Sequence, residues 1–442
     1  MIELGYGSIA LLMCGSLMML LLSGMRVFGA IGCVGAVASL LLWGDGGVEM
    51  AFNASIKLLN WFPLITLPLF VLMGYILSES GIANDMYRMI HVWMGPLNGG
   101  LAIGTVILMV AISAMNGLSV AGMAIGSSIA LPEMLKRGYD KRMVTGVVQA
   151  GSTLGIMVPP SIVLVLYGMI ARQPVTQLWL AGVVPGIMFA TMFIAYIVIR
   201  CKLQPELGPS LSMEERNSIS RAEKFKTLRA GLLPLVIIFS VIGLFMLGVT
   251  SLVESSAVGA CTAIIAAWVT KRLTWRVIYR SLHQSLGVSC MFMWIIMAAL
   301  CFGAVFDGLG AVHAIKALFL EDWGLSPWGV LFMMQISYII MGMFLDDTAM
   351  LVIVAPLYIP LIKSLGFNPI WYGVLYTVTC QIAYMTPPFG YNLFLMKAMA
   401  PKEVTLQDIY SSIVPFVIIM FVGLGILMAF PQISLWLPTV LR

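Results

Sequence analysis

The sequence predicts an all-α polytopic membrane protein built as an inverted repeat. Three observations support this class: charged residues are scarce, apolar runs are long enough to cross a bilayer, and several landmarks recur at one fixed offset. Of the 442 residues, 61% are hydrophobic and only 10% are charged. A soluble domain usually has about 25% charged residues, so this composition excludes an ordinary soluble protein.

Ten apolar runs approach or exceed the roughly 17–25 residues that a membrane-spanning helix needs. Two further apolar regions, 99–135 and 327–363, are too long for one span, and polar or small residues interrupt each near its middle. We interpret each region as a re-entrant helical hairpin that enters and leaves on the same side. The predicted spans are 8–22, 27–43, 61–78, 143–171, 176–199, 230–248, 254–270, 286–306, 371–400 and 412–430.

The distribution of basic residues sets the predicted orientation. With the N-terminus outside, 19 of the 24 Lys and Arg residues fall in inside segments, as the positive-inside rule requires. Counting either hairpin as one span would reverse the later loops and remove this bias. Both termini are therefore predicted outside, and the net charge of +5 does not indicate nucleic-acid binding. The basic residues left outside are Lys57, Arg172, Lys316, Lys363 and Arg442.

A polar segment divides the chain into two predicted halves, 1–200 and 230–442. The segment between them, 201–229, contains Pro205, Pro209 and mixed charges. Such a composition is typical of a solvated surface connection, here on the cytoplasmic side. A docking role is the alternative interpretation of this linker.

Three landmarks recur in the two halves at a single offset of 228 positions, without a gap. Each half has the order hairpin, proline, glycine-aromatic loop, span and Pro-Pro pair. In the predicted topology the first hairpin opens to the inside and the second to the outside. The halves are therefore inverted, which is the plan of many secondary transporters. The paired landmarks are Pro132 with Pro360, Gly138 with Gly366, and Pro159 with Pro387.

Pro159-Pro160 and Pro387-Pro388 lie inside the long apolar spans 143–171 and 371–400. Proline lacks an N–H and clashes with the preceding turn, so each pair predicts a break in the helix. The carbonyl groups released there need a buried or wet environment, and they are suitable ligands for Na⁺. The alternative is that the prolines only bend the spans for packing.

The middle of each hairpin supplies further candidate ligands. The first tip contains Asn116, Gly117 and Ser119, and the second contains Asp346-Asp347-Thr348. An ionised Asp at mid-membrane costs roughly 2.5–3.5 kcal/mol on insertion scales, so a bound cation is expected to compensate at least one of the pair. The alternative is an ordinary exposed turn outside the membrane.

Polar residues that follow the breaks are candidate substrate ligands by position: Ser161, Tyr167, Tyr391 and Asn392. The seven cysteines include no C-x-x-C pair, and no H-E-x-x-H or G-x-x-x-x-G-K-[ST] motif is present. A metalloprotease, an ATPase that hydrolyses ATP itself and a disulfide scaffold are therefore disfavoured. No organic cofactor is expected, and the chain is predicted not to be an enzyme.

Several of these motifs resemble the large membrane subunit of the tripartite ATP-independent periplasmic (TRAP) transporters, the DctM-like family. The resemblance covers nearly the whole chain in order. In the first half it is carried by Ala124-Ile-Gly126, Pro132-Glu-Met134, Gly138-Tyr139-Asp140, Gly155-Ile-Met-Val-Pro-Pro-Ser161, Tyr167-Gly168 and Ala181-Gly-Val-Val-Pro-Gly186. In the second half it is carried by Gly342-Met-Phe-Leu-Asp346, Pro356, Pro360, Gly366-Phe-Asn-Pro369, Tyr372-Gly373 and Thr386-Pro-Pro-Phe-Gly390.

The resemblance implies an elevator-type, ion-transporter-like fold in the bacterial or archaeal inner membrane. It also implies uptake driven by two or more Na⁺ ions, a small four-helix membrane subunit and a periplasmic substrate-binding protein as partners, and an organic acid anion as substrate. A binding-protein-independent Na⁺/dicarboxylate symporter and an ion channel are the alternatives.

By the same resemblance, each Na⁺ site joins one hairpin tip to the break in its own half. The first tip, Met115-Asn116-Gly117-Leu118, departs from the Ser/Gly cluster that is usual in the family. The first site would comprise Asn116, Gly117, Ser119, Gly155, Val158 and Pro160. The second site would comprise Asp346, Asp347, Thr348, Ala383, Thr386 and Pro388.

Overall fold

A computed structural model describes residues 5–43, 46–117, 119, 122–123, 126–210, 220–343, 347–387 and 390–441. These residues form α-helices and short 3₁₀ or π turns, with no β-strand among them. The helices of the first half are Tyr6–Leu22 (α1), Val27–Leu42 (α2), Gly47–Leu59 (α3), Thr66–Glu79 (α4), Ile82–Met94 (α5), Gly100–Asn116 (α6), Leu131–Lys136 (α7), Lys141–Thr153 (α8), Ile162–Ala171 (α9) and Val175–Leu203 (α10). Those of the second half are Arg221–Met246 (α11), Leu252–Val269 (α12), Trp275–Gly308 (α13), Ala311–Ala317 (α14), Pro327–Gly342 (α15), Asp347–Ser364 (α16), Pro369–Tyr384 (α17), Tyr391–Met399 (α18), Leu406–Ala429 (α19) and Gln432–Val440 (α20).

The helix boundaries repeat at the offset found in the sequence. Subtracting 228 from the first residue of five second-half helices gives the first residue of a first-half helix to within three positions. The pairs are α14 with α5, α15 with α6, α17 with α8, α18 with α9, and α19 with α10. The landmark prolines and glycines therefore mark a repeat of helical elements and not only a repeat of sequence motifs.

Within the described ranges, five helices are long and apolar enough to cross a membrane by themselves: α10, most of α11, α12, α13 and α19. Shorter apolar helices include α1, α2, α9 and α15. The chain is thus a multi-pass membrane protein by helix length and composition. The count of ten spans and the re-entrant course of the hairpins stay predictions, because interrupted spans consist of helices too short to count separately.

Two amphipathic helices, α3 and α5, lie outside the spans that the sequence predicts. Each has apolar residues at helical spacing among polar ones, so neither contains an unbroken apolar run. The first turns of α13, from Trp275 to Ser285, were missed for the same reason: that helix spans 34 residues, whereas the sequence predicted 286–306.

The two halves pack into each other and do not form separate bodies. Helix α8 of the first half contacts α19 of the second, and α9 contacts α16 and α17. Phe193 of α10 and Phe416 of α19 are both buried and meet edge to face, with ring centroids 5.4 Å apart. Such interlocking brings the break of one half close to elements of the other.

Ion pairs join segments that the sequence assigns to the inner side. Arg272 donates to both carboxylate oxygens of Asp85 at 2.8 and 3.2 Å, and to the carbonyl oxygen of Gly81 at 3.1 Å. Arg88 pairs with Glu223 at 3.1 Å, and both of those side chains are largely exposed. The Arg272 pair therefore fixes the start of α5 to the loop after α12.

Replacing Asp85 by Asn is expected to destabilise the protein by about 1–2 kcal/mol, because a bidentate, charge-assisted contact is lost. Arg88→Gln is the matched control and is expected to cost at most about 0.5 kcal/mol, since exposed ion pairs contribute little. Thermal unfolding in detergent measures both variants. Equal melting temperatures for the two would show that the Arg272 pair does not hold α5 in place.

Candidate functional site: two hairpin tips and two helix breaks

The first predicted break is present in the structure. Asp140 begins α8 by accepting hydrogen bonds from the backbone N–H groups of Arg142 and Met143, both at 3.0 Å. Helical structure ends with a 3₁₀ turn, Leu154–Ile156, and resumes at Ile162. Gly155 and Pro160 are buried in this interval and Val158 is half-buried. The interruption thus lies inside the protein, where its carbonyl groups are shielded from lipid.

Ser161 closes this break. Its hydroxyl donates to the Ile156 carbonyl and accepts from the Leu164 N–H at 3.2 Å, which makes it the N-cap of α9. Its own carbonyl accepts from the Trp179 indole at 3.2 Å. These contacts account for the burial of Ser161, and its predicted contact with substrate stays a prediction.

The first hairpin tip lies directly against the first break. Gly117 has a left-handed backbone, with φ of 65°. A methyl group placed on it would lie 2.9 Å from the Pro160 carbonyl oxygen and 3.0 Å from the Ile162 nitrogen. Tip and break are therefore in backbone contact, while the ligands of the first Na⁺ site stay a prediction. The side chain of Asn116 lies outside the described residues.

The second break follows the same plan. Helix α17 ends at Tyr384 and α18 begins at Tyr391. Thr386 makes two hydrogen bonds to the end of α17. Its N–H donates to the Ala383 carbonyl at 3.1 Å, and its hydroxyl donates to the Ile382 carbonyl at 2.6 Å. A methyl group on Gly390 would lie 2.9 Å from the carbonyl oxygens of both Thr386 and Tyr384. Two carbonyl oxygens therefore converge at this break.

The second hairpin contacts the last turn of α17, just before the second break. Gly342, at the end of α15, faces Ala383 so closely that an added methyl group would lie 2.5 Å from the Ala383 Cβ atom. Asp346 and Pro388 lie outside the described residues. Asp347 and Thr348 begin α16, and their side chains lie outside the described part of the chain. The contact between the hairpin arm and the last turn of α17 is thus present, while the Asp ligands stay a prediction.

Asn392 connects the two halves. The residue is buried at the start of α18, and its amide nitrogen lies 3.3 Å from the Ser119 hydroxyl and 3.5 Å from the Ser152 hydroxyl. Its Oδ1 atom is buried with no hydrogen-bond partner among the described residues. The structure therefore brings a predicted substrate ligand of the second half to the predicted cation-binding tip of the first half.

Tyr167 lies in a buried aromatic cluster. Its hydroxyl donates to the Pro369 carbonyl at 2.6 Å, and its ring stacks on Tyr376 with centroids 6.2 Å apart. This contact joins α9 to α17 and gives Tyr167 a packing role; its contact with substrate stays a prediction. The side chain of Tyr391, the remaining candidate, lies outside the described residues.

Two buried amides near the breaks were not among the residues predicted from the sequence. Gln381 is fully buried in α17, and neither atom of its amide group has a partner among the described residues. Gln335 of α15 accepts from the Thr379 hydroxyl at 2.5 Å, but its Nε2 atom has no partner in the part of the chain that the structure describes. An uncharged amide in an apolar span is a signal that could have identified both, because a buried polar group without a partner costs about 1–3 kcal/mol.

Comparison with known proteins decides the family. Residues 14–433 match the family described as "Tripartite ATP-independent periplasmic transporter, DctM component". The chain belongs to this family. It is 32% identical over 414 residues to the C4-dicarboxylate TRAP transporter large permease protein DctM of Pseudomonas aeruginosa, covering 92% of this chain and 93% of that protein.

The chain is also similar to one more distant transporter sequence and to one solved transporter structure. It is 27% identical over 396 residues to the sialic acid TRAP transporter permease protein SiaT of Haemophilus influenzae, covering 89% of this chain and 62% of that protein. The crystal structure of the Alcanivorax borkumensis YdaH transporter superposes with a TM-score of 0.64 at 13% identity, covering 89% of this chain and 91% of that one. The latter likeness concerns the fold alone.

Membership of the DctM family makes this chain a TRAP transporter large permease subunit, and hence a membrane transporter rather than an enzyme. Its family implies uptake of a substrate together with a small membrane subunit and a periplasmic binding protein.

Proposed function

We propose that the chain carries out Na⁺-coupled uptake of a small organic acid anion, delivered by a periplasmic binding protein, through elevator-type alternating access in the inner membrane. The observation that carries this proposal is the pair of contacts between hairpins and breaks, Gly117 against Pro160 and Gly342 against Ala383. The first contact places the Pro160 carbonyl beside a hairpin, and the second places a hairpin beside the last turn of α17, next to the break where the Tyr384 and Thr386 carbonyls converge. Backbone carbonyls at a helix break suit a small hard cation.

The substrate class is proposed from two independent supports. The relatives from Pseudomonas aeruginosa and Haemophilus influenzae are named for C4-dicarboxylates and sialic acid, both of which are carboxylates. In this chain the buried amide nitrogen of Gln381, which has no partner among the described residues, can donate to a carboxylate or a sulfonate. A dicarboxylate, a sialic acid and a related carboxylate or sulfonate are the candidates.

The test is uptake into proteoliposomes that contain this chain and its small membrane subunit. Labelled succinate and labelled N-acetylneuraminate serve as probes, with the binding protein and an inward Na⁺ gradient each added or omitted. Uptake that requires both supports the proposal. Uptake with Na⁺ alone would favour a self-sufficient symporter, and flux indifferent to both would favour a channel.

Replacing Asp346 or Asp347 by Ala is expected to weaken the dependence of uptake on Na⁺ concentration while leaving the amount of folded protein close to normal. A carboxylate that binds the ion contributes to ion affinity, whereas folding at a hairpin tip depends little on one side chain. Initial rates measured across a Na⁺ series check this. Unchanged Na⁺ dependence in both variants would mean that the second site is wrongly placed.

Replacing Pro159 and Pro160 together by Ala is expected to abolish Na⁺-driven uptake. Without the two prolines, helical hydrogen bonds can form across the break, and the Pro160 carbonyl would turn away from Gly117. Pro185, inside the continuous helix α10, is the control position, since Pro185→Ala does not alter a break. Normal uptake by the double variant would show that Pro159-Pro160 only bend the helix for packing.

A further inference from the structure

A large cavity among the helices lies away from both breaks. It has a volume of about 740 Å³ and is bounded by α3, the end of α9, the start of α10, the start of α12, and α13. A second cavity of about 260 Å³ adjoins it and shares Arg172, Leu300 and Ala304. We refer to the two together as the outer vestibule. The ten-residue helix α9 lies between the outer vestibule and the first break, which corresponds to a separation of about 15 Å.

Basic residues from distant parts of the chain line the outer vestibule. Lys57 and Arg172 line the larger cavity, and no acidic residue is among its described lining residues. Lys363 and Asp307 line the smaller one. Three of the five basic residues that the sequence leaves on the outer side therefore converge here. Neither Lys57 nor Arg172 has an ion-pair partner among the described residues.

The remaining lining suits a small organic anion. The volume of the larger cavity lies within the range of about 300–1,000 Å³ that is typical of ligand pockets. Apolar side chains such as Trp61 and Ile296 form much of the wall, while Asn53, Gln173 and Thr176 offer hydrogen bonds. An arginine can bind a carboxylate or a sulfonate through two parallel N–H groups. The lining thus combines cations, hydrogen-bonding groups and apolar surface in one enclosure.

We infer that the outer vestibule is an anion-binding site, distinct from the hairpin tips, that receives the carboxylate or sulfonate of the transported anion before it reaches the tips. Arg172 and Lys57 bind the charged group, and Lys363 extends the positive region toward α16. The inference rests on the proposed function for the identity of the anion, whereas the presence of an anion site rests on the cavity itself.

The test measures binding without transport. Asn53 lines the cavity and is exposed, so Asn53→Cys places a reporter thiol there, in a protein whose Cys14, Cys33, Cys261 and Cys290 are replaced by Ala. The rate of modification by an anionic methanethiosulfonate is compared with that by a cationic one. Combining Lys57→Gln with Arg172→Gln is expected to lower the anionic-to-cationic rate ratio about tenfold, since local charge alters encounter rates by this order.

Lys316→Gln is the matched control, because Lys316 is also predicted outside but lines neither cavity, and its ratio is expected to be unchanged. In the second arm, sodium succinate or N-acetylneuraminate is expected to slow modification at least about threefold relative to sodium chloride of equal ionic strength, and only while Arg172 is present. Equal protection by chloride would overturn the inference.

Two outcomes separate this inference from its rivals. Protection by vesicles of phosphatidylglycerol but not phosphatidylcholine, with no effect of the organic anions, would identify a lipid-headgroup site and overturn the proposal. If an organic anion protects the reporter thiol but uptake does not depend on Na⁺, the anion site in the outer vestibule is supported and the proposed Na⁺ coupling is contradicted. Na⁺-coupled uptake without protection would overturn the vestibule alone.

Discussion

Gly117→Ala is expected to reduce uptake by more than about tenfold. The added methyl group would lie 2.7 Å from the Ile162 side chain and 2.9 Å from the Pro160 carbonyl oxygen, and backbone atoms cannot move aside cheaply. The left-handed φ of 65° adds strain for any L side chain. Strain and overpacking each cost about 1–3 kcal/mol, and 1.4 kcal/mol already corresponds to a factor of ten, so the tip is expected to leave the break.

Gly138→Ala provides the matched control for this prediction. Gly138 also has a left-handed backbone, with φ of 79°, but an added methyl group would meet no atom within 4 Å. It therefore reports backbone strain without the clash at the break. Initial uptake rates, normalised to the amount of reconstituted protein, compare the two variants. Similar rates for both would contradict a functional contact between Gly117 and the first break.

Asn392→Leu is expected to abolish uptake without loss of stability. The buried Oδ1 atom has no partner among the described residues, so an apolar side chain of similar size removes an unsatisfied group at this position. Two hydrogen bonds of marginal length, 3.3 and 3.5 Å, are lost in exchange. Replacement of unsatisfied polar groups by apolar ones can be neutral or stabilising, whereas a ligand-binding amide cannot be replaced by a hydrocarbon.

The measurements for Asn392→Leu are the melting temperature in detergent and the uptake rate of the same preparation. Ser412→Ala is the control, because Ser412 is a buried polar residue that accepts from Gln149 at 3.3 Å away from the tips, and its removal is expected to leave uptake close to normal. A variant Asn392→Leu that transports normally would show that the amide only links Ser119 and Ser152. A large drop in its melting temperature would show that the residue serves structure.

The sequence predicted those features that depend on local chemistry. Adjacent prolines cannot remain in a regular helix, so both breaks were located from Pro159-Pro160 and Pro387-Pro388. The fixed offset between the halves gave helix starts such as Ile162 and Tyr391 in corresponding positions. Local pattern was sufficient here because proline and glycine act on the backbone within one or two turns.

Other features depend on contacts between distant segments and could not be predicted. Asn392 meets Ser119 across 273 positions, and no local pattern links an amide after the second break to the first tip. Lys57, Arg172 and Lys363 meet at the outer vestibule for the same reason. The amphipathic helices α3 and α5 were missed because their apolar residues alternate with polar ones and form no continuous run.

Co-transport of ²²Na⁺ tests the central claim most directly. Proteoliposomes that hold the chain with its small membrane subunit are supplied with the loaded binding protein, and entry of ²²Na⁺ and of labelled anion is followed in the same vesicles. The two tip-and-break sites predict that ²²Na⁺ enters only together with the anion, with at least two ions for each anion, and that Gly117→Ala stops both fluxes. Entry of the anion with no accompanying ²²Na⁺ would contradict the account.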